Sequence, residues 1–192
     1  MERIINEINN SIEIKKKLIQ NRLEIEKIYQ ASQLCKETIF KGHKVMLAGN
    51  GGSAADSQHI SAEFVSKYKS DSFPLASIAL TTDTSIITAI GNDYGFKHIF
   101  SRQIIALGKK GDLFIGITTS GKSENILKAF KTCHEKKINT IALTGKNGVA
   151  ENYQKYVDIE IKVPSDITAR IQETHILIGH MICGYVEEDY LI

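Results

Sequence analysis

Five short apolar segments constrain this chain more than any other feature. They cover residues 44–48, 76–80, 113–117, 140–143 and 157–163, and polar loops and stretches of helical spacing separate them. A short continuous apolar run bounded by turn residues suits a strand buried on both faces. Strands that alternate with helices predict an α/β fold: a five-stranded parallel sheet with helices on both faces, joined by right-handed crossovers. Helices are predicted over 54–69, 85–90, 96–107, 124–136 and 168–191, with 91–94 as a loop. In such sheets ligands sit outside the carboxyl ends of the strands. That rule selects the loops 49–53, 81–83, 118–123 and 144–148.

The first 41 residues contain no Gly and no Pro, and Ile5, Ile8, Ile12, Ile19, Leu23 and Ile28 recur at roughly helical spacing. One long helix is predicted from about 2 to 29 and a second to about 41, where Lys41 and Gly42 form a stop. Packing on another subunit and packing on its own domain are both open for the long helix. Residues 1–192 read as a single domain that includes this helical segment, 1–41. Twenty-four Lys+Arg against 22 Asp+Glu leave a net charge of +2. That balance argues against a nucleic-acid partner or an acidic membrane surface. No apolar run is long enough for a membrane span, and no signal-peptide core is visible, so a cytoplasmic location is expected. Cys35, Cys133 and Cys183 are far apart and suggest neither a disulfide framework nor a thiolate metal site.

Two of the strand-end loops carry distinct chemistry. In Gly49-Asn50-Gly51-Gly52-Ser53 the glycines let the backbone approach a ligand closely. The helix that follows aims free N–H groups and a positive dipole end at the same space. The second loop, Thr118-Thr119-Ser120-Gly121-Lys122-Ser123, offers four hydroxyls within six residues at a helix start. Each hydroxyl can donate to a phosphate oxygen. Ser123 alone would suffice to cap the helix, so the surplus favours a bound anion. Residues 116–123 also fit the nucleotide P-loop pattern. Gly116, however, lies inside the apolar strand 113–117, and Asp83 is the one tolerable partner for a magnesium ion.

Helix 54–69 carries His59 and Glu63, four apart and therefore on one face. The last helix carries Gln172, Glu173, His175 and His180. These N and O donors without thiolates suit a catalytic site for zinc or a similar ion. His43, His98 and His134 read as ordinary histidines, and His175 also suits a core position. Gln172 and His180 are eight residues apart, about 12 Å along a helix axis. For both to reach one ion, the side chains must lean together across two turns, the helix must start after Gln172, or the two must come from different subunits; a site at a subunit interface is the expectation.

Residues 48–64, Gly91-Asn92-Asp93, the loop 118–123 and residues 168–180 together resemble the phosphoheptose isomerases of the sugar isomerase (SIS) domain superfamily. The resemblance covers nearly the whole chain. It implies the SIS fold, a homotetramer and a Zn2+ ion held by His59, Glu63, Gln172 and His180. It places substrate contacts on Asn50, Gly51, Gly52 and Ser53, on Asn92 and Asp93, on Thr118, Thr119, Ser120 and Ser123, and on Glu63 and Gln172. The chain departs from many members at three positions: Thr118 stands for Ser, Ala169 stands for an Asp, and Lys122 adds a charge near the phosphate.

The implied reaction converts sedoheptulose 7-phosphate to D-glycero-D-manno-heptose 7-phosphate through an enediol, the first step toward activated heptoses for bacterial surface glycans such as lipopolysaccharide. The chemistry needs a base beside the carbonyl and an acid for its oxygen. Glu63 is assigned as base and His180 as acid. Two alternatives stay open. One is a non-catalytic SIS regulator of replication initiation, against which Glu63 itself speaks. The other is a P-loop kinase.

Overall fold

The computed structural model describes residues 1–69 and 73–190, with the side chains of 189 and 190 left aside. Five parallel strands form one sheet in the order β2-β1-β3-β4-β5. They are β1 (Val45–Gly49), β2 (Ser77–Ala79), β3 (Leu113–Thr118), β4 (Asn139–Thr144) and β5 (Ile159–Lys162). β1 pairs with β3 from Val45↔Leu113 to Gly49↔Ile117. The helices are α1 (Glu2–Gln20), α2 (Arg22–Phe40), α3 (Gly52–Val65), α4 (Thr84–Tyr94), α5 (Ile99–Leu107), α6 (Glu124–Lys136) and α7 (Thr168–Tyr190). The expected α/β architecture is present, with the N-terminal helices preceding the sheet.

Alternation along the strands divides the core. Val45, Leu47, Leu113, Ile115 and Ile117 face one side, where they meet Ile28 of α2, Ile60 and Phe64 of α3, and Ile171 and Ile178 of α7. Met46, Ala48 and Phe114 face the other, against Phe100 and Ile104 of α5 and Ile126 and Phe130 of α6. Phe100, Phe114 and Phe130 are all fully buried. Each such burial contributes about 1.5–3 kcal/mol relative to exposure. Gly116 belongs to this packing, because a Cβ there would lie 2.5 Å from Phe130 Cζ.

The structure moves several boundaries. The first helix ends at Gln20 rather than near 29. Asn21 breaks it, and its side chain accepts from Glu24 N to start α2. α1 buries only Leu18, while Ile8 stays 57 % and Ile19 71 % exposed on this chain. Residues 91–94 are not a loop: α4 runs through them to Tyr94 and stops at Gly95, whose φ is +89°. The region expected as helix 96–107 is a 3-10 turn, Phe96–His98, followed by α5. A further 3-10 turn, Glu151–Tyr156, stands where no element was expected. α3 starts two residues earlier than expected, so Gly52 and Ser53 form its first turn.

Candidate active site and metal group

The strand order reverses direction between β1 and β3, and such a switch point opens a crevice at the carboxyl ends of the strands. The glycine loop leaves β1 and the hydroxyl loop leaves β3 at this crevice. Between them lies a groove of about 300 Å³, lined by Asn50, Gly51, Gly52, Ser53, Thr118, Thr119, Ser123, Thr168 and Gln172. The two loops are tied together. Asn50 Nδ2 donates to Asn125 Oδ1 at 3.0 Å, and Asn125 Nδ2 donates back to Asn50 Oδ1 at 2.8 Å. Gln172 reaches in from α7, and its amide lies so close over Gly52 that a Cβ there would sit 2.5 Å from Nε2.

The hydroxyl loop is held from within. Gly121 has φ +67°, and a Cβ on it would lie 1.7 Å from Gly148 O. Thr118 Oγ1 and Ser123 Oγ are 3.0 Å apart. Ser123 stands at the N-cap of α6 but makes no side-chain capping bond. Its hydroxyl therefore turns toward the loop; Asn125 Oδ1 accepts from Ile126 N at 2.9 Å, which leaves the amides of Glu124 and Asn125 at the start of α6 for an anion. Ser120 Oγ accepts from Lys122 N at 3.2 Å. Asp83, the partner a P-loop would need, caps α4 by accepting from Ile86 N. With Gly116 used in packing, no nucleotide P-loop is formed.

His59, Glu63 and His180 come together within one chain. His59 Nε2 lies 3.0 Å from Glu63 Oε1 and 3.2 Å from His180 Nε2. One donor atom from each of the three falls within 4.8 Å of the others. His59 is exposed, while Glu63 and His180 are partly buried. Two imidazole nitrogens and a carboxylate oxygen suit a borderline divalent ion and leave positions for substrate. Gly179 makes the approach possible. It packs on Ile60, the residue after His59, and a Cβ there would lie 2.4 Å from Ile60 Cδ1. The Tyr68 ring stacks on His180 at 5.4 Å and 22°. Glu187, buried in α7, accepts from the amides of Tyr68 and Lys69 and holds that segment in place.

Other expected residues lie elsewhere. Asn92 and Asp93 sit exposed on α4 and bond to each other at 2.8 Å. They do not line the groove of this chain. Glu173 faces α1, where it accepts from Ser11 Oγ at 2.7 Å and pairs with Arg170. His175 is fully buried, and its Nε2 lies 3.1 Å from Thr144 O. A carbonyl only accepts, so Nε2 carries the proton and Nδ1 is left bare; Nδ1 has no partner. Burial pushes the His175 pKa down to about 4, against which the Thr144 carbonyl works.

Sequence reasoning missed Asp56, Tyr68, Asn125, Thr168 and Gly179. Asp56 lies on α3 one turn before His59, and its Oδ2 is buried without a partner. Burial raises its pKa to about 6, and the charge of His59 pulls the other way. Asp56 and Tyr68 flank the His59/Glu63 pair in sequence, which is the one signal that pointed to them.

Comparison with known proteins agrees with this geometry. The SIS domain family matches residues 8–145. The phosphoheptose isomerase of Sulfurimonas denitrificans is 50% identical over 190 residues, covering 98% of this chain and 96% of that protein. Phosphoheptose isomerase 2 of Campylobacter jejuni is 54% identical over 180 residues, covering 94% and 89%. The solved phosphoheptose isomerase of Neisseria gonorrhoeae superposes with a TM-score of 0.89 at 42% identity, over 97% of this chain and 98% of that one. The one from Francisella tularensis gives 0.91 at 39%, over 97% of each. With its reversed sheet order, its paired loops and its His/Glu/His group, this chain belongs to the SIS domain family and, within it, to the phosphoheptose isomerases.

Proposed function

We propose that this enzyme interconverts sedoheptulose 7-phosphate and D-glycero-D-manno-heptose 7-phosphate through an enediol, working as one domain over residues 1–192. The observation that carries this reading is that one chain holds both the converged group His59, Glu63 and His180 and, about 10 Å back along α3, a groove built from a glycine loop and a hydroxyl loop.

In this reading Thr118, Thr119, Ser120 and Ser123, with the first amides of α6, hold the phosphate. Asn50, Gly51, Gly52, Ser53 and Gln172 line the path of the sugar chain. Binding the distant phosphate orients the reacting carbons. Glu63 removes the proton next to the carbonyl, and His180 delivers one to the carbonyl oxygen. Tyr68, stacked on the imidazole, fixes the plane from which that proton comes. His59, Glu63, Gln172 and His180 would hold a Zn2+ ion, which when bound supplies polarisation of the carbonyl and stabilisation of the enediolate charge.

The assembly belongs to the same proposal. Within one chain Gln172 lies over Gly52. Gly52 precedes His59 by seven residues, about 10 Å along α3. Gln172 therefore joins the other three ligands most simply across a subunit interface, as does the pair Asn92 and Asp93. The exposed isoleucines of α1 supply apolar surface for a homotetramer. No helix among the described residues is long and apolar enough to cross a membrane. We place the enzyme in the cytoplasm, feeding heptose to surface glycans such as lipopolysaccharide.

The test is conversion of sedoheptulose 7-phosphate, with chelator and zinc add-back arms, by wild type and Glu63→Gln. The expected loss in Glu63→Gln is roughly 10²–10⁴-fold, with phosphosugar binding retained. Near-normal turnover in that variant would reject Glu63 as the base.

A further inference from the structure

A second cavity adjoins the groove. It encloses about 240 Å³ and shares Thr119 and Thr168 with the groove. Its outer wall carries Lys122, Lys146 and Asp166. Three loops build it. Gly145 N donates to Thr119 O at 3.2 Å, and Lys146 N donates to Ser165 O at 3.0 Å. The loop after β4, which the strand-end rule singled out, is thus bonded to the hydroxyl loop.

Charge gives this cavity a task. A phosphate monoester is a dianion near neutral pH. Hydroxyls and amides line the groove, with no Lys or Arg among them. A helix N-terminus contributes roughly half a positive charge, and the exposed Glu124 in the first turn of α6 opposes even that. The two lysines stand just across the Thr119 wall. Lys122 pairs with no carboxylate among the described residues. Lys146 is ion-paired with Asp166, and that bond holds the Asp166 carboxyl below its ordinary range.

We propose that Lys122 and Lys146 complete the phosphate subsite across Thr119, and that Asp166 holds Lys146 back and so limits the affinity for the phosphate. This rests on the reading that the hydroxyl loop binds the substrate's phosphate. Three consequences separate it from a merely polar surface. Lys122→Met weakens binding of the phosphate. Asp166→Asn releases Lys146 and strengthens it. Lys146→Met in the Asp166→Asn background removes that gain. All three effects shrink as salt rises, since these side chains are solvated.

The experiment measures KM for sedoheptulose 7-phosphate and the inhibition constant of inorganic phosphate at low and high salt. Lys122→Met should raise both constants together, by three- to tenfold, with the change in KM rather than kcat. Asp166→Asn should lower both, by two- to threefold. Unchanged constants in Lys122→Met, or a KM that moves without the phosphate constant, overturn the proposal, as does an Asp166→Asn variant that binds phosphate no better. Ser123→Ala is the control for the underlying reading. If it weakens phosphate while Lys122→Met does not, the lysine subsite alone fails. If Ser123→Ala leaves phosphate inhibition untouched, the hydroxyl-loop reading fails first.

Discussion

Gly179 offers the sharpest test of how the site is built. The residue precedes His180, and Ile60 follows His59, so their contact sets the distance between the two imidazoles. Ile60 is 1 % exposed, packed between α3 and α7. In Gly179→Ala the new Cβ would meet Ile60 Cδ1 at 2.4 Å and Cγ1 at 2.6 Å. Ordinary carbon contacts lie at about 3.5–4.0 Å, so α3 and α7 must separate by about 1 Å or Ile60 must leave its rotamer. Overpacking of this kind costs about 1–3 kcal/mol. Ile60→Ala alone costs about 2–5 kcal/mol, from lost burial and the cavity left behind. The double variant puts the added methyl of Gly179→Ala into that cavity, because the Ile60 Cβ that remains is 3.8 Å away. The cost of the double variant should therefore fall short of the sum of the two single costs by about 1–2 kcal/mol, the coupling expected of groups in direct contact.

The assay is urea unfolding of the wild type and the three variants at one protein concentration, with zinc affinity measured by chelator competition on the same proteins. Gly179→Ala should weaken metal binding at least tenfold, because the imidazoles, 3.2 Å apart in the wild type, are pushed away from each other. The double variant should recover part of that loss. Additive stabilities, or a Gly179→Ala variant that holds zinc as tightly as wild type, would refute the claim that this contact positions the site.

Two further predictions concern the framework. His175 is neutral in the fold because burial pushes its pKa from 6.5 to about 4. A depressed histidine pKa gives stability that is present above 6.5 and lost as pH falls toward 4, about 2 kcal/mol of it by pH 5. The stability gap between wild type and His175→Gln should shrink or reverse by that amount between pH 7.5 and 5, and a pH-independent gap in urea titrations would rule this out. Gly121→Ala places a methyl 1.7 Å from Gly148 O at a positive φ. It should abolish inhibition by inorganic phosphate while the metal group, built on α3 and α7, still binds zinc.

What the sequence made legible was periodic or local. Apolar runs separated by helical spacing were enough for the sheet, and hydroxyl density marked the loop at 118–123. The i,i+4 spacing of His59 and Glu63 was enough to pair them, and the structure sets them 3.0 Å apart. One error had a visible local signal: Asn21 followed by Glu24 is the pattern of a helix cap, and it fixes the break that was placed near 29. Gly91-Asn92-Asp93 misled in the other direction. Its composition is that of a turn, yet α4 continues to Gly95, and Asn92 spends its side chain on Asp93 rather than on the backbone.

The remaining misses are contacts between elements far apart in the chain, and these make the site. Gly52 meets Gln172, and Ile60 meets Gly179. The first pair and the second are eight residues apart on α3 and seven on α7, so the two helices run side by side in the same direction and stay within one residue of step, about 1.5 Å. That register decides what one chain can assemble. It sets Gln172 beside the glycine loop and His180 beside His59, at opposite ends of a shared stretch of about 12 Å. A shift of one helical turn, about 5.4 Å, would carry His180 past His59 and break up the metal group. Small residues at 52 and 179 hold the register because nothing larger fits. Neither glycine is marked by hydropathy, periodicity or charge, so their role became visible only when the helices were set against each other.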